Sequence, residues 1–243
     1  MAVATSANSQ LRRSEHVAEG TMAFHFARPE GFEFRPGQTM DITLLDPPET
    51  DAEGNTRTFS IASAPEDHHL MIATRVRDSA FKRVLSKASP GLDLKIEGPG
   101  GDFTLHRRTD KAAVFLAGGI GITPFLSMTR HAAHEKTERQ LYLFYSNRHP
   151  EDAAFLDLLT ATASQHPNIH LIATMTEMEK SHSKWNGETG HIDQQMLTRY
   201  LPSLAGPTFY VAGPPKMVAA LRNMLVAAQI DEDDIRAEEF PGY

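Results

Sequence analysis

From Ala112 onward the chain alternates strand-like runs with helical ones, and this alternation constrains the fold more than any single motif. Residues 112–117 (Ala-Ala-Val-Phe-Leu-Ala) form an uninterrupted apolar strand signature. Further strand candidates stand at 141–145, 169–175, 208–212 and 235–240, and helical patterns at 125–134, 152–163, 193–200 and 215–228 fall between them. Strands too apolar to face water on either side, separated by helices, require a parallel sheet covered on both faces.

The first hundred residues follow a different rule. Strand-like runs at 39–44, 58–62, 69–76, 92–97 and 103–105 are separated by turn residues such as Pro29-Glu30-Gly31, Pro47-Pro48, Glu53-Gly54-Asn55 and Gly98-Pro99-Gly100-Gly101. Short strands with regular turns predict a small antiparallel barrel or sandwich, interrupted by one helix at 79–85. The expectation is a two-domain β then α/β chain: an antiparallel β-barrel over 1–108, then a doubly wound parallel sheet over 109–243. The length of 243 residues suits two domains of about 100–150 residues each.

Composition removes several functions. The chain has no cysteine, which excludes disulfides, thiolate zinc sites, cysteine nucleophiles and cysteine-ligated iron–sulfur clusters within it. A net charge of −7 gives no support to nucleic-acid binding. The longest apolar stretch, 112–128, is broken by Gly118, Gly119, Gly121 and Pro124, so no membrane span is expected. The first twenty residues lack the apolar core of a signal peptide, and a cytoplasmic setting is the default expectation.

Three segments carry chemistry. Gly118-Gly119-Ile120-Gly121-Ile122-Thr123-Pro124 follows the first apolar strand and opens a helix, where free N–H groups and the dipole favour a phosphate. A tight strand–helix turn is the plain alternative. Arg57-Thr58-Phe59-Ser60 joins an arginine fork to an aromatic ring, which suits an anion bearing a flat ring system. An ordinary barrel strand with an edge arginine reads equally well there. In Thr74-Arg75-Val76-Arg77-Asp78-Ser79-Ala80 two arginines end a strand just before a helix start, a second anion site or a solvated basic face.

With Gly98-Pro99-Gly100-Gly101-Asp102-Phe103, Ala212-Gly213-Pro214-Pro215-Lys216-Met217 and Glu238-Glu239-Phe240, these segments resemble, in order, the motifs of the ferredoxin–NADP reductase family of flavoproteins. The resemblance spans about residues 10–243 and implies an FAD-holding barrel and an NADPH- or NADH-holding sheet. It implies that Arg57 pairs with the FAD pyrophosphate, Phe59 stacks on the isoalloxazine and Ser60 hydrogen-bonds near the flavin N5. Thr58, Thr74, Arg75, Val76, Arg77 and the Ser79 and Ala80 amides would line the rest of the flavin. Gly118, Gly119, Gly121, Ile122, Thr123 and Pro124 would take the nicotinamide nucleotide, and Gly213 and Pro214 would flank its ring. Ser146, Asn147 and Arg148 would lie at the adenosine ribose, with Arg148 available to a 2′-phosphate. Ser60 and Glu238 are the expected catalytic pair, and Phe240 or Tyr243 would cover the flavin.

The chain departs from the family pattern where Phe59 replaces a tyrosine and Ala212 a cysteine. Thr174-Met175 stands where NADPH-specific members carry Ser-Arg. The implied activity is hydride transfer from NAD(P)H to FAD, then single electrons to a ferredoxin, a flavodoxin or an oxygenase's ferredoxin. Arg75, Arg77, Lys82 and Arg83 would steer that acidic partner. A non-catalytic flavin- and nucleotide-binding subunit is the alternative. A flavin-free dehydrogenase would leave the barrel without a role. His131, His134 and Glu135 share helical spacing that can bind metal, but a solvated polar face is the expected reading, and no metal is expected.

Overall fold

The computed structural model describes residues 5–240. Two six-stranded sheets are present among them. The first is antiparallel and runs β4-β3-β6-β1-β2-β5. Its strands are β1 (Thr5–Ala18), β2 (Thr21–Ala27), β3 (Thr39–Leu44), β4 (Thr56–Ser60), β5 (His69–Arg75) and β6 (Asp93–Gly100). Its two outer strands approach each other where the Ala62 N–H donates to Met71 O at 2.8 Å, which curls the sheet into a barrel. Helix α1 (Ala80–Lys87) packs Phe81 and Leu85 into the barrel core beside Phe24, Ile42 and Ile96.

Sequence periodicity misses β1 and β2. Only Ser9 and Leu11 of the fourteen residues of β1 are buried, and a register shift between Leu11 and Arg13 breaks the alternation. The expected strand at 103–105 is not formed. Phe103 instead lies between the two sheets, 5.7 Å centroid to centroid from both Phe125 and Tyr210.

The second sheet is parallel and runs β10-β9-β8-β7-β11-β12. Its strands are β7 (Ala113–Gly118), β8 (Leu141–Asn147), β9 (Ile169–Met175), β10 (Glu188–Thr189), β11 (Thr208–Gly213) and β12 (Ile235–Glu239). Helices α2 (Ile122–His134), α3 (Leu156–Gln165), α4 (Gln194–Tyr200) and α5 (Pro215–Ala227) cover it. Every residue of β7 and of β11 is buried, as the apolar runs require. The chain winds outward through β8 and β9 on one side of β7, then returns to place β11 on the other. The order reverses between β7 and β11, and ligands of open α/β sheets enter at such a switch point, beyond the carboxyl ends of the strands.

Helix α2 starts three residues earlier than periodicity suggests, because Pro124 sits in its first turn, where a missing N–H costs nothing. Helix α3 starts four residues later than expected. Pro150-Glu151-Asp152 forms a separate short turn, and Phe155 takes φ 61° before the helix begins. No helix among the described residues is long and apolar enough to cross a membrane.

The two sheets share a core. Ala62, Met71 and Ala73 of the first pack in one cluster with Phe115, Ile122 and Phe125 of the second. Polar ties reinforce the junction: Ser127 Oγ donates to Ser63 O at 2.6 Å, and Arg130 forks onto Asp67 at 2.5 and 2.8 Å.

Candidate functional site

The carboxyl ends of the parallel strands face the barrel across a cavity of about 560 Å³. Arg57, Thr58, Phe59 and Ser60 of β4 line it, with Thr74, Arg75, Arg77 and Ser79 from the end of β5 to the start of α1. Ile120, Thr123, Glu238 and Phe240 close it from the parallel side. Four segments widely separated in sequence therefore meet at one cleft. Thr39, Glu53 and Lys82 also line it, and motif reasoning did not single them out for this role.

Two polar atoms in this cavity are buried and have no hydrogen-bond partner among the described residues: Ser60 Oγ and Glu238 Oε2. An orphaned buried group costs about 1–3 kcal/mol, so two of them in one cavity, one from each side, mark a place built for a polar ligand. Burial pushes the Glu238 carboxyl up to about 7, and the nearby Asp102 carboxylate adds to the shift. The raised value means the fold prefers neutral Glu238. That contribution is complete below about pH 4.5 and is lost as pH rises through about 7. Glu238→Gln removes the titration. It is expected to exceed the wild-type protein in stability by about 2 kcal/mol at pH 8 and to match it near pH 4. Thermal melts across that range test this, and a constant difference at all pH values would contradict it.

The switch point is built on close backbone packing. Gly118 ends β7 and Gly213 ends β11, and a Cβ on Gly213, which has φ +157°, would lie 3.2 Å from Gly118 backbone atoms. A Cβ on Gly121 would lie 2.3 Å from Ala212 O. Backbone packing thus accounts for Gly121 without any ligand, whereas a Cβ on Gly118 would meet the Met217 side chain, with Sδ at 2.3 Å. Gly119, at φ +50°, is the member that needs left-handed freedom. Gly118 pairs in register with Ser146, and Phe240 N–H donates to Gly213 O at 3.0 Å, which draws the β12 end to the same edge. Thr123 Oγ1 donates to Ile120 O at 3.1 Å. Ile122 and Pro124 are buried in the first turn of α2, while Ser146, Asn147, Gly213 and Pro214 sit at the sheet edge outside the cavity lining. Asn147 is buried with both amide atoms unpaired, a second polar pair at this edge.

Several expected ligand groups are already engaged by protein. Asp152, which is 5% exposed, accepts from Arg75 Nη2 at 3.0 Å and from Arg148 Nε at 2.8 Å. Arg75 still lines the cleft, but its charge joins the two sheets, and Arg148 shares the same carboxylate. Arg57 contacts Asp51 at 3.2 Å and Glu53 at 2.9 Å. Arg83 forks onto Glu49 and pairs with Asp78. Among the four expected docking cations, only Arg77 and Lys82 have no acid partner among the described residues. Val76 packs against the barrel core rather than into the cleft, and Thr58 Oγ1 donates to Asp41 at 2.5 Å. Ser79 caps α1, accepting from the Lys82 N–H at 3.4 Å, whereas Asp78 lies outside the helix. Tyr243 lies outside the described residues. Near the C-terminal end of α2, His131 and Glu135 meet Glu66 of the barrel, with ligand-capable atoms within 4.8 Å of one another, a neighbour that helical spacing alone does not reveal.

An antiparallel barrel that shares its cleft with the switch point of a doubly wound sheet is the architecture of two-domain flavin- and nicotinamide-linked reductases. Comparison with known proteins agrees. Residues 115–223 match the oxidoreductase NAD-binding domain family. Ferredoxin–NADP reductase B of Sorangium cellulosum is 29% identical over 210 residues, covering 84% of this chain and 83% of its own. The glycine betaine monooxygenase reductase subunit of Chromohalobacter salexigens is 28% identical over 223 residues, covering 90% of this chain and 60% of its own. A ferredoxin NADP+ reductase from Neisseria gonorrhoeae, solved with bound FAD and NADP, superposes with a TM-score of 0.79 at 19% identity. The match covers 96% of this chain and 98% of that one. Over most of its length the chain is similar to ferredoxin–NADP reductases and to the reductase subunits of oxygenases. It spans 52%, 60% and 58% of the length of three of the curated relatives it matches.

Proposed function

We propose that this chain takes hydride from NADPH or NADH onto an FAD held in the cleft and delivers electrons singly to a separate carrier, such as a ferredoxin, a flavodoxin or an oxygenase component. The observation that carries this reading is the single cavity joining the Arg57–Ser60 strand, the start of α1, Thr123 and the 238–240 segment, with Ser60 Oγ and Glu238 Oε2 buried and unpaired inside it. We assign 1–108 to flavin binding and 109–243 to nucleotide binding, in a cytoplasmic setting.

A bound flavin supplies the conversion between two-electron and one-electron transfer. The protein's part is placement. Phe59 is half-buried in the cavity wall and offers a ring face for stacking. Ser60 supplies a hydroxyl with no competing partner in the protein, so its hydrogen bond is reserved for the flavin edge that receives hydride. Thr123 lines the nicotinamide side of the same cleft, and Gly213-Pro214, at the strand end beside it, would flank the nicotinamide ring. Phe240 covers the cavity and is tied to the switch point through its backbone, so its ring must yield when the nicotinamide docks. Glu238, its carboxyl raised by burial to about 7, is able to hold a proton beside the reacting edge near neutral pH. Arg77 and Lys82 remain free to attract an acidic carrier.

The test is direct. Purified protein reconstituted with FAD is expected to be yellow and to be bleached by NADPH or NADH under anaerobic conditions. Addition of an acidic one-electron carrier should restore the colour. A yellow protein that neither nucleotide bleaches would reassign it as a non-catalytic flavin-binding subunit.

A further inference from the structure

The Arg57 guanidinium, expected at the flavin pyrophosphate, and the amide at the start of α1, expected elsewhere along the flavin, are bridged by one side chain of the protein itself. Asp51 Oδ2 accepts the Ala80 N–H at 2.8 Å, and Asp51 Oδ1 accepts from Arg57 Nη2 at 3.2 Å. Ala80 is the first residue of α1, where N–H groups lack helical partners and the dipole favours an anion. A carboxylate and a phosphate ask for the same donors: an arginine fork and a helix N-terminal amide. We propose that Asp51 is an internal phosphate surrogate, which a nucleotide phosphate must displace to enter, so that this residue sets the protein's affinity for its flavin nucleotide.

The surroundings fit an occupant that can leave. Asp51 lies in the hairpin loop 45–55, between β3 and β4, and no residue of that loop is buried. Swinging the loop outward therefore exposes no core. The loop is held instead by charge. Glu53 pairs with Arg57 at 2.9 Å, and Glu49 pairs with Arg83 at 2.8 Å. The Glu53, Gly54 and Thr56 carbonyls also accept from Arg57 Nη1, at 2.8–3.0 Å. The Arg57 guanidinium lies 5.4 Å from the Phe81 ring centroid, so it keeps a fixed seat on the barrel while the loop moves. The Ala80 N–H, with Glu53 N–H and Arg57 adding, holds the Asp51 carboxyl below its ordinary range, as expected of an anion in an anion's seat. Two anions cannot share these donors, so the affinity seen by a phosphate is its intrinsic affinity multiplied by the fraction of molecules with the seat open.

Asp51→Asn keeps the shape and removes the charge. It is expected to bind both FAD and inorganic pyrophosphate about tenfold more tightly than the wild type, because a larger fraction of molecules has the seat open. The apo-protein is expected to melt at a lower temperature, because the helix start loses its anion. Opposite signs for affinity and stability separate a surrogate from a merely structural cap, which would lower both. Glu53→Gln, which removes the second carboxylate on Arg57, is expected to act in the same direction but more weakly, and stands in should Asp51→Asn fail to fold. Calorimetric titration of the full chain with each ligand, alongside thermal melts, provides the test. The proposal rests on the flavin reading, and the two ligands separate their failures. FAD binding with equal or weaker affinity to Asp51→Asn overturns the role of Asp51 and leaves the flavin reading standing. Pyrophosphate preferring Asp51→Asn while FAD binds neither protein supports the role of Asp51 and overturns the flavin reading. Neither ligand binding either protein overturns both.

Discussion

Gly121→Ala is expected to destabilise the protein by about 3 kcal/mol, lowering its melting temperature by about 6–12 °C. Gly121 has φ −61°, ordinary for any residue, so backbone freedom does not explain the glycine. Space does. Its Cβ would stand 2.3 Å from Ala212 O, 2.5 Å from Ala212 C and 2.7 Å from Gly213 Cα. These are backbone atoms at the end of a buried parallel strand, and they cannot turn aside as a flexible side chain would. To admit one methyl group, α2 must move off β11 and open the switch point. The neighbouring Gly119→Ala is the control. Gly119 lies at φ +50°, where a non-glycine residue pays about 1–2 kcal/mol in backbone conformation. The two variants should therefore rank in that order in thermal melts, and an unshifted Gly121→Ala would refute the packing argument.

Ser60→Ala is expected to slow anaerobic bleaching of the FAD-loaded protein by NADPH or NADH about a hundredfold, with little loss of apo-protein stability. The two halves of this expectation have one cause. Ser60 Oγ is buried and unpaired among the protein's own groups, so its removal takes no hydrogen bond from the apo fold. A hydroxyl with no internal task is available to a ligand, and β4 sets it in the cleft beside Phe59. Stopped-flow reduction separates this from a binding defect: the limiting rate should fall while the flavin remains bound. A wild-type limiting rate would remove Ser60 from the hydride-transfer step.

Much of the architecture is legible in the sequence because it is local. Residues 39–44 and 169–175 are strands over the expected spans, since alternation in one and a mostly apolar, β-rich run in the other record which faces are buried. The glycine loop is recognisable for the same reason: its strand and helix flank it directly. β1 escapes because its bulge and mostly half-exposed faces leave no periodic signal. The site residues divide in the same way. Phe59, Ser60, Thr123 and Glu238 line one cleft as the ordered motifs lead one to expect. Asp152 and Asp51 carry no comparable signal, because an acid in a loop looks solvated until the arginine that reaches it is known.

The sequence by itself determined the order of the elements, the parallel and antiparallel characters of the two halves and the place of the strand–helix glycine turn, because each depends on residues within a few positions of one another. Only the tertiary structure decided which charges are free. Arg75 and Arg148 converge on Asp152, Arg57 and the start of α1 share Asp51, and Arg83 is taken by Glu49. The partners in each case come from separate segments, and the strength of an ion pair depends on distance and burial. Those quantities exist only once the barrel and the parallel sheet have closed around the cleft.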